Sequence, residues 1–174
     1  GALGAAYLAY HRFQDKPRIL NGGADSMAGS YLGPDYSQDD IESRLSVIGA
    51  NYSVLDYETL ISTVADALAS ENAIGWFQGR MEFGPRSLGG RSILGDPRSP
   101  AMQKNLNLKV KYRESFRPFA PSVLREDVAD WFELDIDSPY MLMVADVKTE
   151  RQKAMSPEED ALFGIDKLNI ARSD

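Results

Sequence analysis

The chain has 174 residues, 43% hydrophobic and 26% charged, with a formal net charge of -7. That length supports one well-buried core and is short for two domains, and the composition is that of an ordinary globular protein. Cysteine is absent, which excludes a disulfide framework, a thiolate nucleophile and a Cys-ligated metal. No apolar run reaches the length of a bilayer span, and the acidic balance argues against nonspecific attraction to nucleic acid or anionic membrane. A reducing cytoplasm is the expected location.

Residues 1–11 (GALGAAYLAYH) are small, apolar and helix-competent from the first position, with no cap before them. They read as the tail of a helix belonging to something upstream, and the apolar side chains of residues 162–170 have no closing element after them. The sequence therefore reads as a fragment of a longer polypeptide. His11, the single histidine, sits in an apolar stretch and is expected to be structural.

Residues 14–36 are punctuated by Pro17, Gly22, Gly23, Gly29, Gly33 and Pro34, as a connector would be. Ile19, Leu20, Met27, Tyr31 and Leu32 make it too apolar for a free linker. Ser37 caps a predicted helix carrying Ile41, Leu45 and Ile48 on one face, and Asp56 opens a second with Leu60, Ile61, Val64 and Leu68. Both stripes are expected to be core. Residues 73–77 read as a buried strand, 100–108 as a helix with Pro100 in its first turn, 119–124 and 141–147 as strands, and 125–132 as a short helix. Trp76 and Trp131 are assigned to the core. The alternation predicts an α/β domain around a single mixed sheet flanked by helices.

Charge is distributed unevenly. Between Arg80 and Arg117 there are nine Lys/Arg against Glu82, Asp96 and Glu114; the rest of the chain holds ten basic and twenty-three acidic residues. Within this island Arg80, Arg86, Arg91 and Arg98 recur every five to seven residues among Gly79, Gly84, Gly89, Gly90 and Gly95. Glycine permits close backbone approach with several N–H groups aimed at one ligand, and guanidinium forks match phosphate oxygens. The pattern is neither a Walker loop nor GxGxxG. Further on, Lys109, Lys111 and Arg113 alternate, so an extended backbone would send all three to one side, with Arg117 next. Converging charges of one sign repel by several kcal/mol at reduced dielectric unless an anion relieves them. A focused polyanion site is the functional reading; a solvated basic edge is the bland one. Glu82 and Asp96 are expected to orient arginines rather than touch a metal. With no histidine pair, any metal would be Mg²⁺ held mainly by phosphates.

The runs FQGRMEFGPRSLGGRSILGDPRS and NLKVKYRESFRPFAPSVL resemble the O-carbamoyltransferases of the nodulation and antibiotic-biosynthesis type, which act on Nod factor, cephamycin and tobramycin. The opening GALGAAYLAYHR is similar to the end of an upstream Kae1-like domain and YLGPDYS to the start of the C-terminal domain. On that resemblance residues 1–36 are the end of the Kae1-like domain plus a connector, and 37–174 the C-terminal domain. The sequence departs from the pattern at Ser87 and Gly90, where Ala and Asn are common; Gly90 would lack one polar contact.

The resemblance implies an α/β YrdC/Sua5-like twisted sheet with a positively charged cavity, Lys111 and Arg113 matching its KxR element. It implies that carbamoyl phosphate and ATP yield carbamoyl-adenylate and pyrophosphate, and that the carbamoyl group passes to a hydroxyl in the Kae1-like domain. Arg80, Lys111 and Arg113 are the expected catalytic residues. Arg86, Arg91, Ser92, Lys109, Arg117 and Ser122 are the expected ligand contacts, and ATP with Mg²⁺ the expected cofactors. Two other readings stand beside this one: an RNA-binding YrdC-like module, disfavoured by the acidic remainder and sparse aromatics of the basic stretch, and a threonylcarbamoyl-adenylate synthase-like enzyme using threonine and bicarbonate.

Overall fold

The computed structural model of the protein describes residues 1–19, 22, 25–168 and 170. Leu20 and Gly23 of the expected connector, and the tail after Ile170, lie outside the described residues.

Helix α1 (Ala2–Leu8) runs on as a π-helical turn over Ala9–Phe13, and neither part buries a residue. His11 is held locally: Nδ1 lies 2.9 Å from the Lys16 carbonyl, and its ring stacks on Tyr7 and meets Tyr10 edge-on.

The connector packs on the basic segment, as its apolar content requires. The Phe83 N–H donates to Ser30 O (2.7 Å), Gly33 N–H to Met81 O and Met81 N–H to Pro34 O (both 2.9 Å). Gly33 permits this approach, since a Cβ there would stand 2.9 Å from both the Cβ and the carbonyl oxygen of Met81. The Asp25 carboxylate closes its own turn by accepting from the Met27 and Gly29 N–H groups, and Tyr140 donates to it from the far end of the chain.

The two capped helices form where the sequence places them. α2 (Gln38–Val47) opens on a capping box, with Ser37 and Asp40 each accepting from the other's backbone N–H. α3 (Tyr57–Ala69) opens on Asp56, which accepts from Thr59 N–H and Oγ1 (2.9 and 2.7 Å). Their apolar stripes are not the core that periodicity predicts. On α2 Leu45 is half-buried and Ile48 is 75% exposed; on α3 Leu60, Val64 and Leu68 are half-buried. Amphipathic pattern gives a helix an apolar face but supplies no surface to cover it.

Strand β1 (Ile74–Phe77) forms where the apolar run predicts it but is not the buried strand expected: Ile74 and Trp76 are half-buried and Phe77 is 59% exposed. The partner of β1 is β2 (Arg91–Leu94), inside the glycine- and arginine-rich stretch, for which the sequence predicted no strand, paired antiparallel with Trp76 opposite Ser92 and Phe77 opposite Arg91. The described chain is thus mixed α/β, and its sheet has two antiparallel strands. The expected strands over 119–124 and 141–147 do not join it; Val147 alone makes an isolated bridge, to Phe132. Pro118 and Pro121 lack the N–H that a ladder needs, and Met141 takes φ 50°, outside extended backbone.

Helix α4 (Met102–Asn105) continues as a π turn over Leu106–Val110, matching the expected 100–108 helix and overrunning it. Met102 and Leu106 are the buried apolar residues of the described chain. They pack on Gly95, where a Cβ would lie 2.8 Å from Met102 Cγ and 3.0 Å from Leu106 Cδ1. This contact docks α4 against the end of β2. A 3-10 turn (Arg125–Asp127) and α5 (Val128–Trp131) form the expected helix near 125–132, and Arg151 covers the half-buried Trp131 ring at 4.4 Å. Short helices α6 (Pro157–Asp160), capped by Ser156, and α7 (Ile165–Leu168) follow. Among the described residues no helix is long and apolar enough to cross a membrane.

Candidate functional site

The Gly/Arg loop between β1 and β2 is organised by a carboxylate of the protein itself. Glu82 is 7% exposed; its Oε1 accepts from Leu88 N–H (2.8 Å) and Gly90 N–H (2.7 Å), and its Oε2 from Arg91 Nε (3.1 Å). The sequence predicted that glycine-rich backbone N–H groups would point at a ligand. Two of them instead point at Glu82, because an internal anion is present at every instant and needs no association entropy. Glu82 therefore orients an arginine, as expected. Arg91 is consumed by this work: its Nη2 also donates to the Gly84 carbonyl and to Arg86 O (3.4 Å). Tyr31 closes the loop from the connector, donating to Leu88 O at 3.1 Å. Its ring fills the space at Gly90, where a Cβ would stand 2.8 Å from Tyr31 Cε1, so an Asn side chain there would have to displace the Tyr31 ring.

Arg80 reaches the other way, donating to Gly33 O (3.0 Å) and pairing with Asp35 (3.3 Å). Arg98 chelates Asp96, whose carboxyl is pulled down to about 2, mainly by the guanidinium hydrogen bonds and the Arg98 N–H. Arg98, Asp96 and Ser99, with Ala69, Glu71 and Pro100, line a cavity of about 460 Å³. A second, of about 440 Å³, is lined by Gln38, Ser53, Val54, Leu55 and Leu60. None of the seven basic residues expected at the site lines either cavity.

The second basic stretch differs from the extended strand its alternation suggested. Residues through Val110 are helical, Lys111 stays in the right-handed helical region and Tyr112 takes φ 49°. Helical spacing turns successive side chains by about 100°, so the alternation does not align Lys109, Lys111 and Arg113. A different device orders this turn. Asn107, 0% exposed, donates through Nδ2 to Ser115 O (3.0 Å) and Arg117 O (2.8 Å) and accepts from Arg113 Nε at 2.6 Å. Gln103 adds bonds to Phe116 O and Arg117 O (both 3.2 Å). The Arg113 guanidinium also lies 4.9 Å over the Phe119 ring, a favourable cation–π distance. Arg117 pairs with Glu114 at 2.8 Å.

The expected ligands thus divide. Arg80, Arg91 and Arg117 are each paired with a carboxylate, and Arg113 with a neutral amide. Arg86, Lys109 and Lys111 are exposed, and their side chains have no hydrogen bond or ion pair among the described residues. Ser92 sits on β2 facing Trp76 in the register, and Ser122 is exposed. Asn107, Gln103 and Tyr31 carry the geometry of the site yet gave no sequence signal, because a buried amide is recognisable only once its partners are in place. Among the described residues no group of three His, Asp or Glu side chains converges to hold a metal.

Comparison with known proteins identifies the class. The family model described as Carbamoyltransferase C-terminus matches residues 65–159, the stretch that contains the end of α3, both strands and both basic segments; the chain belongs to this family. It is 56% identical to an uncharacterized protein of Synechocystis sp. over 175 residues, covering 99% of this chain and 28% of that protein. It is 39% identical to the nodulation protein NolNO of Sinorhizobium fredii, with 88% of this chain and 22% of the relative covered. It is 42% identical to the 3'-hydroxymethylcephem-O-carbamoyltransferase of Streptomyces clavuligerus over 51% of this chain and 17% of the relative. The chain therefore spans between a sixth and under a third of the length of these relatives.

Proposed function

We propose that this chain is the nucleotide- and carbamoyl-phosphate-binding part of an ATP-dependent O-carbamoyltransferase. The observation that carries this reading is the match of the carbamoyltransferase C-terminal family to the segment containing the basic island, together with a relative named as an O-carbamoyltransferase. Arg86, Lys109 and Lys111 support it physically. They are cations without internal partners among the described residues, and unrelieved positive charge is what a polyphosphate would recognise.

In this reading the carbamoyl oxygen is joined to the α-phosphorus of ATP and pyrophosphate departs, giving carbamoyl-adenylate. The phosphoryl group of carbamoyl phosphate leaves as orthophosphate, its oxygen supplied by water. Such a displacement needs alignment and neutralisation of charge more than a protein nucleophile, which suits a sequence without cysteine. Arg86, Lys109, Lys111 and Arg113 would contact phosphate oxygens, with Ser92 and Ser122 as candidate hydroxyl contacts. Arg80, Arg91 and Arg117 would do so only by sharing their guanidinium with the carboxylates they already hold. Mg²⁺, if used, would be held mainly by the nucleotide phosphates and would neutralise their charge. We assign the YrdC-like fold, the upstream Kae1-like domain, and transfer to a hydroxyl acceptor there to the full-length protein within the same proposal.

The test is carbamoyl-phosphate-dependent exchange of labelled pyrophosphate into ATP by the full-length protein. Exchange with carbamoyl phosphate is the expected result. Exchange with threonine and bicarbonate instead would replace the assignment, and absence of both would overturn it.

A further inference from the structure

Four arginines of the basic island are tied to acids: Arg80 to Asp35, Arg91 to Glu82, Arg98 to Asp96 and Arg117 to Glu114. Each pair cancels its own charge locally. Arg113 is held differently. Its side-chain partner is the neutral amide of Asn107, which accepts from Nε at 2.6 Å, and the Phe119 ring lies under the guanidinium at 4.9 Å from Cζ. The backbone doubles the link, with Arg113 N–H donating to Asn107 O at 3.0 Å.

We infer that Asn107 is a positioning residue that fixes Arg113 through a neutral acceptor, so that the guanidinium is immobilised while its positive charge stays available to a phosphate. The inference rests on the phosphate-binding reading above. Holding the Nε edge and one face leaves the two Nη groups as a fork, the geometry that meets two oxygens of a phosphate at once. A carboxylate at position 107 would hold the same edge but would compete with the incoming anion for the charge. Asn107 does more than acquire one arginine. Its Nδ2 pins the carbonyls of Ser115 and Arg117, so one fully buried amide sets the path of the turn that carries both Arg113 and Arg117. The nearest acid in sequence, Glu114, is engaged by Arg117 at 2.8 Å; Arg113 attracts the same carboxylate without a direct bond, the last and smallest of the causes that lower it.

The test uses the full-length protein and pyrophosphate as probe, by calorimetry at low salt, with melting temperature read on every variant. Asn107→Asp keeps an oxygen for Arg113 Nε, adds a negative charge and puts an acceptor where Nδ2 donated; Asn107→Ser is smaller and neutral. Positioning through a neutral acceptor predicts that Asp weakens binding by about tenfold or more and by more than Ser does. Both variants lose the Nδ2 donor to the Ser115 and Arg117 carbonyls, so the order of affinities is read together with melting temperature, and the comparison without Arg113 decides between positioning and a structural role. In an Arg113→Gln background, replacing Asn107 by Ser should cost no further affinity; equal losses in both backgrounds would overturn the inference. Should the Asp variant fail to fold, this Ser cycle decides the question by itself. Wild-type protein that binds neither pyrophosphate nor ATP would overturn the phosphate reading and the inference with it, whereas binding with additive losses overturns the inference alone.

Discussion

Glu82 Oε2 accepts from Arg91 Nε at 3.1 Å while the same carboxylate, through Oε1, receives the N–H groups of Leu88 and Gly90. One buried acid thereby holds the β2 end of the loop that joins the two strands, and it engages one of the arginines that the sequence offered as a ligand contact. Glu82→Gln keeps one oxygen for the two backbone donors but turns an NH₂ group toward Arg91. The change should destabilise the fold by about 1–3 kcal/mol, read as a lower midpoint in urea with an unchanged slope. An unaltered midpoint would mean the loop holds itself without the carboxylate.

Arg86 and Arg91 are five residues apart and should behave oppositely. Arg86→Ala removes an exposed cation without a partner among the described residues; it should lower affinity for ATP by about tenfold and leave the melting temperature within about 1 °C. Arg91→Ala strands a buried carboxylate and should lower the melting temperature by several degrees. Calorimetry and thermal unfolding on the same preparations separate them, and a reversed pattern would exchange their roles.

Lys111→Ala should follow Arg86→Ala, with weaker pyrophosphate binding and an unperturbed melting curve, because its side chain is exposed and has no partner among the described residues. The loss should shrink as salt is raised, since an exposed phosphate contact is screened. A salt-independent loss would point to disruption of the turn at Tyr112.

Gly33 tests how the connector is attached. Adding a Cβ there brings it to 2.9 Å from the Met81 carbonyl, a backbone atom that cannot rotate away. Gly33→Ala should cost about 1–3 kcal/mol by overpacking and speed amide exchange at Gly33 and Met81, whose N–H groups bond across this contact.

Asp96 supplies an acid-sensitive element. Its carboxyl is depressed from 3.8 to about 2 by the Arg98 guanidinium and backbone N–H. A depressed folded-state value means that the contribution is complete above about pH 4 and disappears as pH falls through 2. Asp96→Asn should flatten that part of the stability curve, and an identical acid limb in the variant would assign it to other carboxylates. Since Arg98 is 78% exposed, the effect should be small and screened by salt.

Much was legible in the sequence because some of its information is local. The Ser37 and Asp56 caps, β1 and the helix after Pro100 depend on groups within a few residues, and they form where propensity and capping place them. The family, too, is written in two contiguous runs. Tertiary structure alone decided which cations remain available. Charge count and spacing made seven basic residues equivalent, yet Asp35, Glu82 and Glu114 claim three of them and Asn107 a fourth. It also decided that residues 109–113 leave a helix rather than run extended, because Asn107 ties the carbonyls of Ser115 and Arg117 back to the helix. A hydrogen bond depends on three-dimensional distance and direction, and neither can be read from the order of residues along a chain.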